Sequence, residues 1–287
     1  FNMIQIFVDS GANLSAELRE QYNIHLLPMA LTIDDQPAPE GLDGHEYYEA
    51  LRSGADVRTS MVNPDDAKKA FETYLSQGDD VVYFSISAGI SGSWWSAKLA
   101  GDELMEQYPQ RRVCPIDSMG ASLGAGIPAL KASSLVRQGM GLDELVEKMT
   151  VYCQNYCQYF VVDDLKYLRK GGRLSAAAAV AGGMLGIKPI LAVIEGKVAL
   201  AGKARGLPGV YVALFKKIDE MGGIHPGYPP LLGYTVNHRE LQPLLTYLQD
   251  NLHLDAPLVR QIGCVIGTHT GPGAFGIAFF DKELTLE

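Results

Sequence analysis

The chain has 287 residues, 47% of them hydrophobic and 20% charged, with 33 acidic against 24 basic side chains and a formal net charge of −9. That composition suits a globular protein with core enough for two domains and excludes a disordered chain. The acidic balance gives no support to general binding of nucleic acid or an anionic membrane, where clustered Lys and Arg supply the affinity.

Phe1 and Asn2, ahead of Met3, read as an expression remnant. The first half alternates short apolar runs with amphipathic stretches. Ile4–Val8, Val81–Ser85, Arg112–Ile116 and Tyr159–Val162 are β-branched or aromatic runs bounded by polar residues or Gly, and predict strands. Helical patterns lie between them near 64–77, 93–107, 122–138 and 142–157. The last carries a stripe of Leu142, Leu145, Val146, Met149, Cys153 and Tyr156. Strands separated by helices imply crossovers and a parallel sheet. Residues 25–63, with a turn-rich Asp34–Asp43 segment and a short helix near 45–53, predict an excursion from that sheet.

After Asp163 the texture changes. A Gly- and Ala-rich helical stretch over 171–186 leads to a hairpin of Lys188–Val193 and Lys197–Leu200 through Glu195-Gly196. A helix over 208–220, a Pro-rich break at 226–230, a strand, a helix over 238–252 and strands over 262–268 and 276–280 follow. The expected fold class is therefore α/β in two domains. Residues 1–162 form a parallel-sheet α/β domain, and residues 163–287 an α+β domain on a mixed or antiparallel sheet.

Of the four cysteines, Cys153 and Cys157 fall at helical i, i+4 spacing. No His or Cys pair completes a metal site, so buried helix-face thiols are the better reading and no metal is expected. A disulfide framework is not implied, which suits a reducing cytoplasm. Neither a signal peptide nor an apolar run of ~18 residues is present, so no membrane span is expected.

In an open α/β sheet, ligands sit beyond the carboxyl ends of the strands. Here those ends read Asp9-Ser10-Gly11, Ser85 through Ser93, and Asp117-Ser118: many hydroxyls, small residues and few cations. Ser91-Gly92-Ser93 opens a helix, where backbone N–H groups and hydroxyls can converge on an anion or simply cap the helix; both can hold together. Thr59-Ser60 follows Arg58, and Thr268-His269-Thr270 ends the predicted strand over 262–268. Several hydroxyl donors with a His suit a buried carboxylate.

Enzyme motifs are weaker. Gly89 to Ser93 resembles a nucleophile elbow, but Ser93 stands where that pattern needs Gly. Gly271, Gly273 and Gly276 match a dinucleotide fingerprint in letters alone, because an apolar strand-like run follows them instead of a helix. A serine-dependent acyl hydrolase using Ser91 or Ser93 with His269 is the alternative reading.

Taken together, these segments resemble the DegV family, which includes the fatty-acid-binding subunits of bacterial fatty acid kinase. The resemblance runs in order through Val8-Asp9-Ser10, Thr59-Ser60, Ser91-Gly92-Ser93, Ile116-Asp117-Ser118 with Ala121-Ser122, the run from Leu165 to Ser175, Gly202 to Gly206, and His269 to Gly273. It implies two α/β lobes enclosing an acyl tunnel, and a non-catalytic protein without a cofactor whose ligand is a long-chain fatty acid. Thr59 and Ser91 would hold the carboxylate, with His269 as third partner. Ser60, Gly92, Ser93 and Thr268 would support the head group, and Arg169 and Arg173 would meet the head group or the kinase. An ATP-dependent fatty acid kinase subunit would phosphorylate the carboxylate, the acyl phosphate would feed phospholipid synthesis, and contact with a membrane would be peripheral and transient. Relatives usually continue Thr-Ser with Gln-Pro, where this chain has Met61-Val62-Asn63-Pro64, and Trp94-Trp95 replace the usual Tyr and polar residue. These departures bear on chain-length preference and partner choice.

Overall fold

The computed structural model describes residues 2–39, 42, 44–174, 186–254 and 257–281. In chain order the elements begin with β1 (Ile4–Asp9), α1 (Ala16–Tyr22), β2 (Ile24–Leu27), β3 (Leu31–Ile33), β4 (Gln36–Pro37), α2 (Gly44–Arg52) and β5 (Val57–Thr59). Next come α3 (Pro64–Leu75), β6 (Asp80–Ser85), α4 (Ser93–Gln107), β7 (Val113–Asp117), α5 (Leu123–Arg137), α6 (Leu142–Cys153) and β8 (Tyr156–Val161). The remainder holds α7 (Lys166–Lys170), β9 (Ile187–Ile194), β10 (Lys197–Arg205), α8 (Gly206–Glu220), β11 (Leu231–Tyr234), α9 (Gln242–Asp250), β12 (Leu258–Gln261), α10 (Cys264–Thr270) and β13 (Phe275–Phe280).

Two compact units emerge. The first joins the residues up to Ala30 with Thr59–Gln154; the second joins Leu31–Arg58 with the described chain from Asn155 onward.

The first unit is built on a four-stranded sheet in the order β2-β1-β6-β7, with every pair parallel. β1 and β6 are buried at five of their six positions, as a central parallel strand covered on both faces must be. α3 and α4 pack on each other, and α5 packs against β1 and β6. Asn63 caps α3 by accepting from the Asp65 N–H at 2.8 Å, Pro64 follows at the first turn, and Asp65 and Asp66 complement the positive helix end.

The second unit carries a mixed six-stranded sheet in the order β10-β9-β8-β13-β11-β12, antiparallel except for β11 with β12. Glu195 and Gly196 both have positive φ, 49° and 74°, the turn that matches strand twist in a two-residue hairpin. Val210, Leu214 and Ile218 of α8 and Leu244 and Leu248 of α9 pack with Ile190, Leu232, Phe275, Ile277 and Phe279 in one core. Tyr47, Tyr48, Leu51 and Val57 form a second cluster, against which Leu31, Ile33, Tyr167 and Cys264 pack.

Four sequence expectations change. The Tyr159–Val162 run belongs to β8, which pairs antiparallel with β13 and β9, so the second sheet begins before residue 162. Its partners lie far along the chain, and no local signal names them. The helix expected over 142–157 stops at Cys153, and Cys157 lies in β8, so the two thiols do not share a helix face. The strand expected over 262–268 is instead α10, with Thr268 and His269 in its last turns. The expected excursion begins later than residue 25, because Ile24–Leu27 pairs with β1, whereas residues 31–58 do leave the parallel sheet and group with the second unit. Most of the Gly- and Ala-rich stretch expected as helix over 171–186 lies outside the described residues.

Candidate functional site

In the first unit, the rim beyond β1, β6 and β7 is organised around hydroxyls. Ser91 is 6% exposed and Ser93 fully buried. Ser91 Oγ accepts from the Ser93 N–H at 3.2 Å and lies 2.9 Å from Ser93 Oγ. Ser93 Oγ in turn accepts from the Val62 N–H at 3.0 Å. The turn therefore caps one first-turn amide of α4 and also fixes the 59–62 segment beside it. Gly92, the N-cap residue, contributes no side-chain cap, so the positive end of a 15-residue helix faces the turn.

Gly92 and Met61 lie close together: a Cβ at Gly92 would stand 2.6 Å from Met61 Sδ, and the flexible Met61 side chain would have to shift. Met61 connects the turn to an apolar groove of about 490 Å³ lined by Met29, Ala30, Met61, Val62, Pro28 and Pro64, with Ser60, Asn63 and Asp66 at its polar margin. Thr59, half-buried, ends β5, and exposed Ser60 donates its N–H to the Ala30 carbonyl at 2.9 Å. Thr59, Ser60, Ser91, Gly92 and Ser93 thus all belong to the first unit.

Beneath the turn sits Asp9, 1% exposed. Its carboxylate accepts from the Gly11 N–H at 2.9 Å, the Ile86 N–H at 2.9 Å and the Tyr83 hydroxyl at 2.6 Å. Burial outweighs these three donors and pushes its pKa up to about 6. Burial and the Asp9 charge together hold the Tyr83 phenol well above its ordinary value. Sequence reasoning placed Asp9 on the rim without a role and passed over Tyr83. The two-residue alternation of paired strands was the available signal, because Phe7 and Tyr83 are register partners and Asp9 shares their face.

The second unit holds the remaining candidates. His269, in the last turn of α10, meets the backbone of Gly171 so closely that a Cβ there would lie 2.1 Å from its Nδ1. Arg173 donates to the Gly171 carbonyl and also acts on the imidazole. Burial, then the Arg173 charge, lowers the His269 pKa to about 4, so the ring is neutral at neutral pH. Thr268 is 7% exposed; its hydroxyl donates to the Cys264 carbonyl at 2.8 Å and is bonded to the Tyr47 hydroxyl. That hydroxyl is engaged within α10 and α2. Arg169 is exposed at the end of α7, and neighbouring Lys170 pairs with Asp56.

The glycines of the fingerprint-like run serve packing. Gly271 and Gly273 have positive φ, and added Cβ atoms would meet Tyr167 at 2.3 Å and Asp163 at 2.6 Å. The run leads into β13 and not into a helix. Among the described residues, no group of three or more His, Cys, Asp or Glu could hold a metal ion, and no helix is long and apolar enough to cross a membrane.

The model of the DegV family matches residues 3–282. A DegV domain-containing protein of Clostridium perfringens is 30% identical over 280 residues, spanning 96% of both chains. A fatty-acid-binding DegV family protein from Thermus thermophilus superposes with a TM-score of 0.88 at 28% identity, covering 97% of this chain and 99% of its own. A stearic-acid-binding protein from Eubacterium ventriosum gives 0.85 at 25% identity, with 98% and 99% covered. Matched by its family model along nearly its whole length, the chain belongs to the DegV family.

Proposed function

We propose that this protein binds a long-chain fatty acid without chemically changing it and presents the carboxylate to an ATP-dependent kinase subunit. Thr59 and Ser91 hold the carboxylate. Ser60, Gly92 and Ser93 shape the turn around it, and the apolar groove receives methylenes. The observation that carries this reading is the union of a buried serine turn at a helix N-terminus with an adjoining groove of about 490 Å³. That volume falls within the ~300–1,000 Å³ of small-molecule sites. The solved DegV relatives described as fatty-acid-binding support the ligand class.

The energetics agree with carriage. About 14 methylenes at ~0.8 kcal/mol each give roughly 11 kcal/mol of gross burial. Association and ordering costs offset much of this, leaving tight but reversible binding. His269, neutral and flanked by Arg173, is assigned to the phosphorylation step, and exposed Arg169 to contact with the kinase. Acyl phosphate formed in that step supplies phospholipid synthesis in the cytoplasm. The hydrolase reading needs Ser91 or Ser93 as nucleophile with His269 as base. An activated acyl ester separates the two, since a hydrolase turns it over and a carrier does not.

The decisive experiment is native mass spectrometry of protein purified from a bacterial host, followed by denaturing extraction. Near-stoichiometric saturated or monounsaturated fatty acid is expected. Protein that arrives empty and also refuses added palmitate and oleate would overturn the reading.

A further inference from the structure

The hydroxyl assigned above to the ligand ends a buried chain of exchangeable hydrogens. Ser91 Oγ and Ser93 Oγ are 2.9 Å apart, and either can donate. The Ser93 hydroxyl acts electrostatically on the Tyr83 phenol as a hydrogen-bonding group, and Tyr83 donates to Asp9 Oδ2 at 2.6 Å. All four side chains are buried. Backbone donors fix its acceptors: Val62 N–H on Ser93, and Gly11 and Ile86 N–H on Asp9.

Each hydroxyl has one hydrogen to give. When Asp9 is ionised, Tyr83 gives its hydrogen to Asp9 and leaves its oxygen open to Ser93. Ser93, once it donates inward, draws the Ser91 hydrogen inward too, away from a ligand. When Asp9 is protonated the order reverses. The acid donates to Tyr83, Tyr83 to Ser93, and Ser93 to Ser91, whose own hydrogen is left for an anion.

We propose that Asp9 is a positioning residue for the bound carboxylate, setting the direction of the Ser91 hydroxyl through Tyr83 and Ser93 and taking up a proton when the anion binds. This rests on the reading that Ser91 receives the carboxylate. The charge balance points the same way. Desolvation has already lifted the Asp9 carboxyl to about 6, and a second buried anion nearby lifts it further.

The surroundings leave Asp9 as the group that responds. From β6 it faces Tyr83, on which Asp117 at the end of β7 also acts. β2 places Leu27 opposite it. His25 lies two positions back on β2, bonded to Gln5 at 2.8 Å and to Tyr74 at 3.2 Å. The neighbouring 310 turn (Ser10–Ala12) is uncharged, and on α5 the cations Lys131 and Arg137 lie in its second half. α3 turns Ala67, Phe71 and Leu75 inward. On α4 the inward residues Ser96, Ala97, Ala100, Gly101 and Leu104 are uncharged, and Lys98 pairs with Asp102 at 2.5 Å.

The test is binding of laurate, kept below its micellar concentration so that its carboxyl stays ionised, from pH 5.5 to 8. Calorimetry in two buffers of different ionisation enthalpy counts the protons. Binding should take up a substantial fraction of a proton, and affinity should fall by about tenfold for each pH unit by which laurate lifts the Asp9 pKa. Tyr83→Phe removes the middle hydroxyl while leaving the backbone bonds to Asp9, and should diminish that slope to the part that comes from direct repulsion between the two anions. Asp9→Asn sets an amide against N–H donors and can fail to fold. The wild-type Asp9 carboxyl, followed by carbon-13 titration, gives the independent readout: its pKa should rise when laurate is added. A flat wild-type profile without proton uptake, while Ser91→Ala still weakens binding, overturns the inference and leaves the fatty acid reading standing. A slope undiminished in Tyr83→Phe overturns the relay. Unchanged affinity in Ser91→Ala overturns the reading beneath it.

Discussion

Gly171→Ala tests the placement of His269 without altering the histidine. Gly171 has φ −75° and ψ −10°, which any residue adopts, so the backbone accepts alanine. The added Cβ would lie 2.1 Å from His269 Nδ1 and 2.8 Å from Cε1. Against a normal contact of ~3.5 Å, the ring must retreat by about 1.4 Å. Overpacking of this kind costs about 1–3 kcal/mol, and the lower unfolded-state entropy of alanine returns about 0.4–1 kcal/mol. The net expectation is a loss of about 1–2 kcal/mol. Urea denaturation of wild type, Gly171→Ala, His269→Ala and the double variant would close the cycle. In the His269→Ala background the clash is gone, so Gly171→Ala should become neutral or slightly stabilising, a coupling of about 1–3 kcal/mol. Pushed towards water, the imidazole should also titrate above its buried value of about 4. Equal destabilisation in both backgrounds, with an unmoved titration, would refute the reasoning.

Ser91→Ala and Thr59→Val should each weaken fatty acid binding by about 1.5–3 kcal/mol, tenfold to over a hundredfold, in a fluorescent acyl displacement assay; affinities within twofold of wild type would misplace the head group. His269→Ala should keep most of the affinity yet slow acyl phosphate formation with a cognate kinase by about tenfold, read as exchange and turnover on the same sample. The depressed His269 pKa also carries a stability sign. Its folded value of about 4 lies below the ordinary 6.5, so its contribution is full above 6.5 and lost as pH falls through 4, by up to about 3 kcal/mol. Chemical denaturation at pH 4 and pH 7 should therefore show His269→Gln less acid-sensitive than wild type.

Much of the first unit was legible because its strands are contiguous apolar runs and its helices are long. The helix from Ser93 to Gln107 has the expected bounds, and those after Pro64 and Leu123 differ at their ends by only a few residues. α10 was not legible. Ile262 to Thr268 is a β-branched, apolar stretch that resembles a buried strand, and seven helical residues are too few to display a period. The contacts around it are distant in sequence: Tyr48 donates to Ile262 O at 2.6 Å, and its hydroxyl would meet a Cβ at Gly267. Tertiary packing here overrides local propensity. The same limit hid the sheet to which β8 belongs, since a strand's neighbours are set by pairing and not by composition. Ser91, Ser93 and Thr59 stand out in the sequence as hydroxyl residues near element ends, and the head-group role proposed for them comes from the family resemblance. The coupling of Asp9 to Ser91 does not stand out, because it passes through a tyrosine that reads as ordinary core.

The interleaving of the two units has a consequence for synthesis on the ribosome. Residues 31–58 emerge early, yet Tyr47 and Tyr48 bond to Thr268 and Ile262, 221 and 214 positions later. A nascent chain of 154 residues could complete the parallel sheet while this apolar segment still waited for its partners, a hazard for aggregation. Truncation after Gln154 would make that exposure permanent. Excision of 31–58 would not, and the chain is already arranged for it. Ala30 and Ser60 are joined by a 2.9 Å hydrogen bond, so a short linker would close the gap that excision leaves.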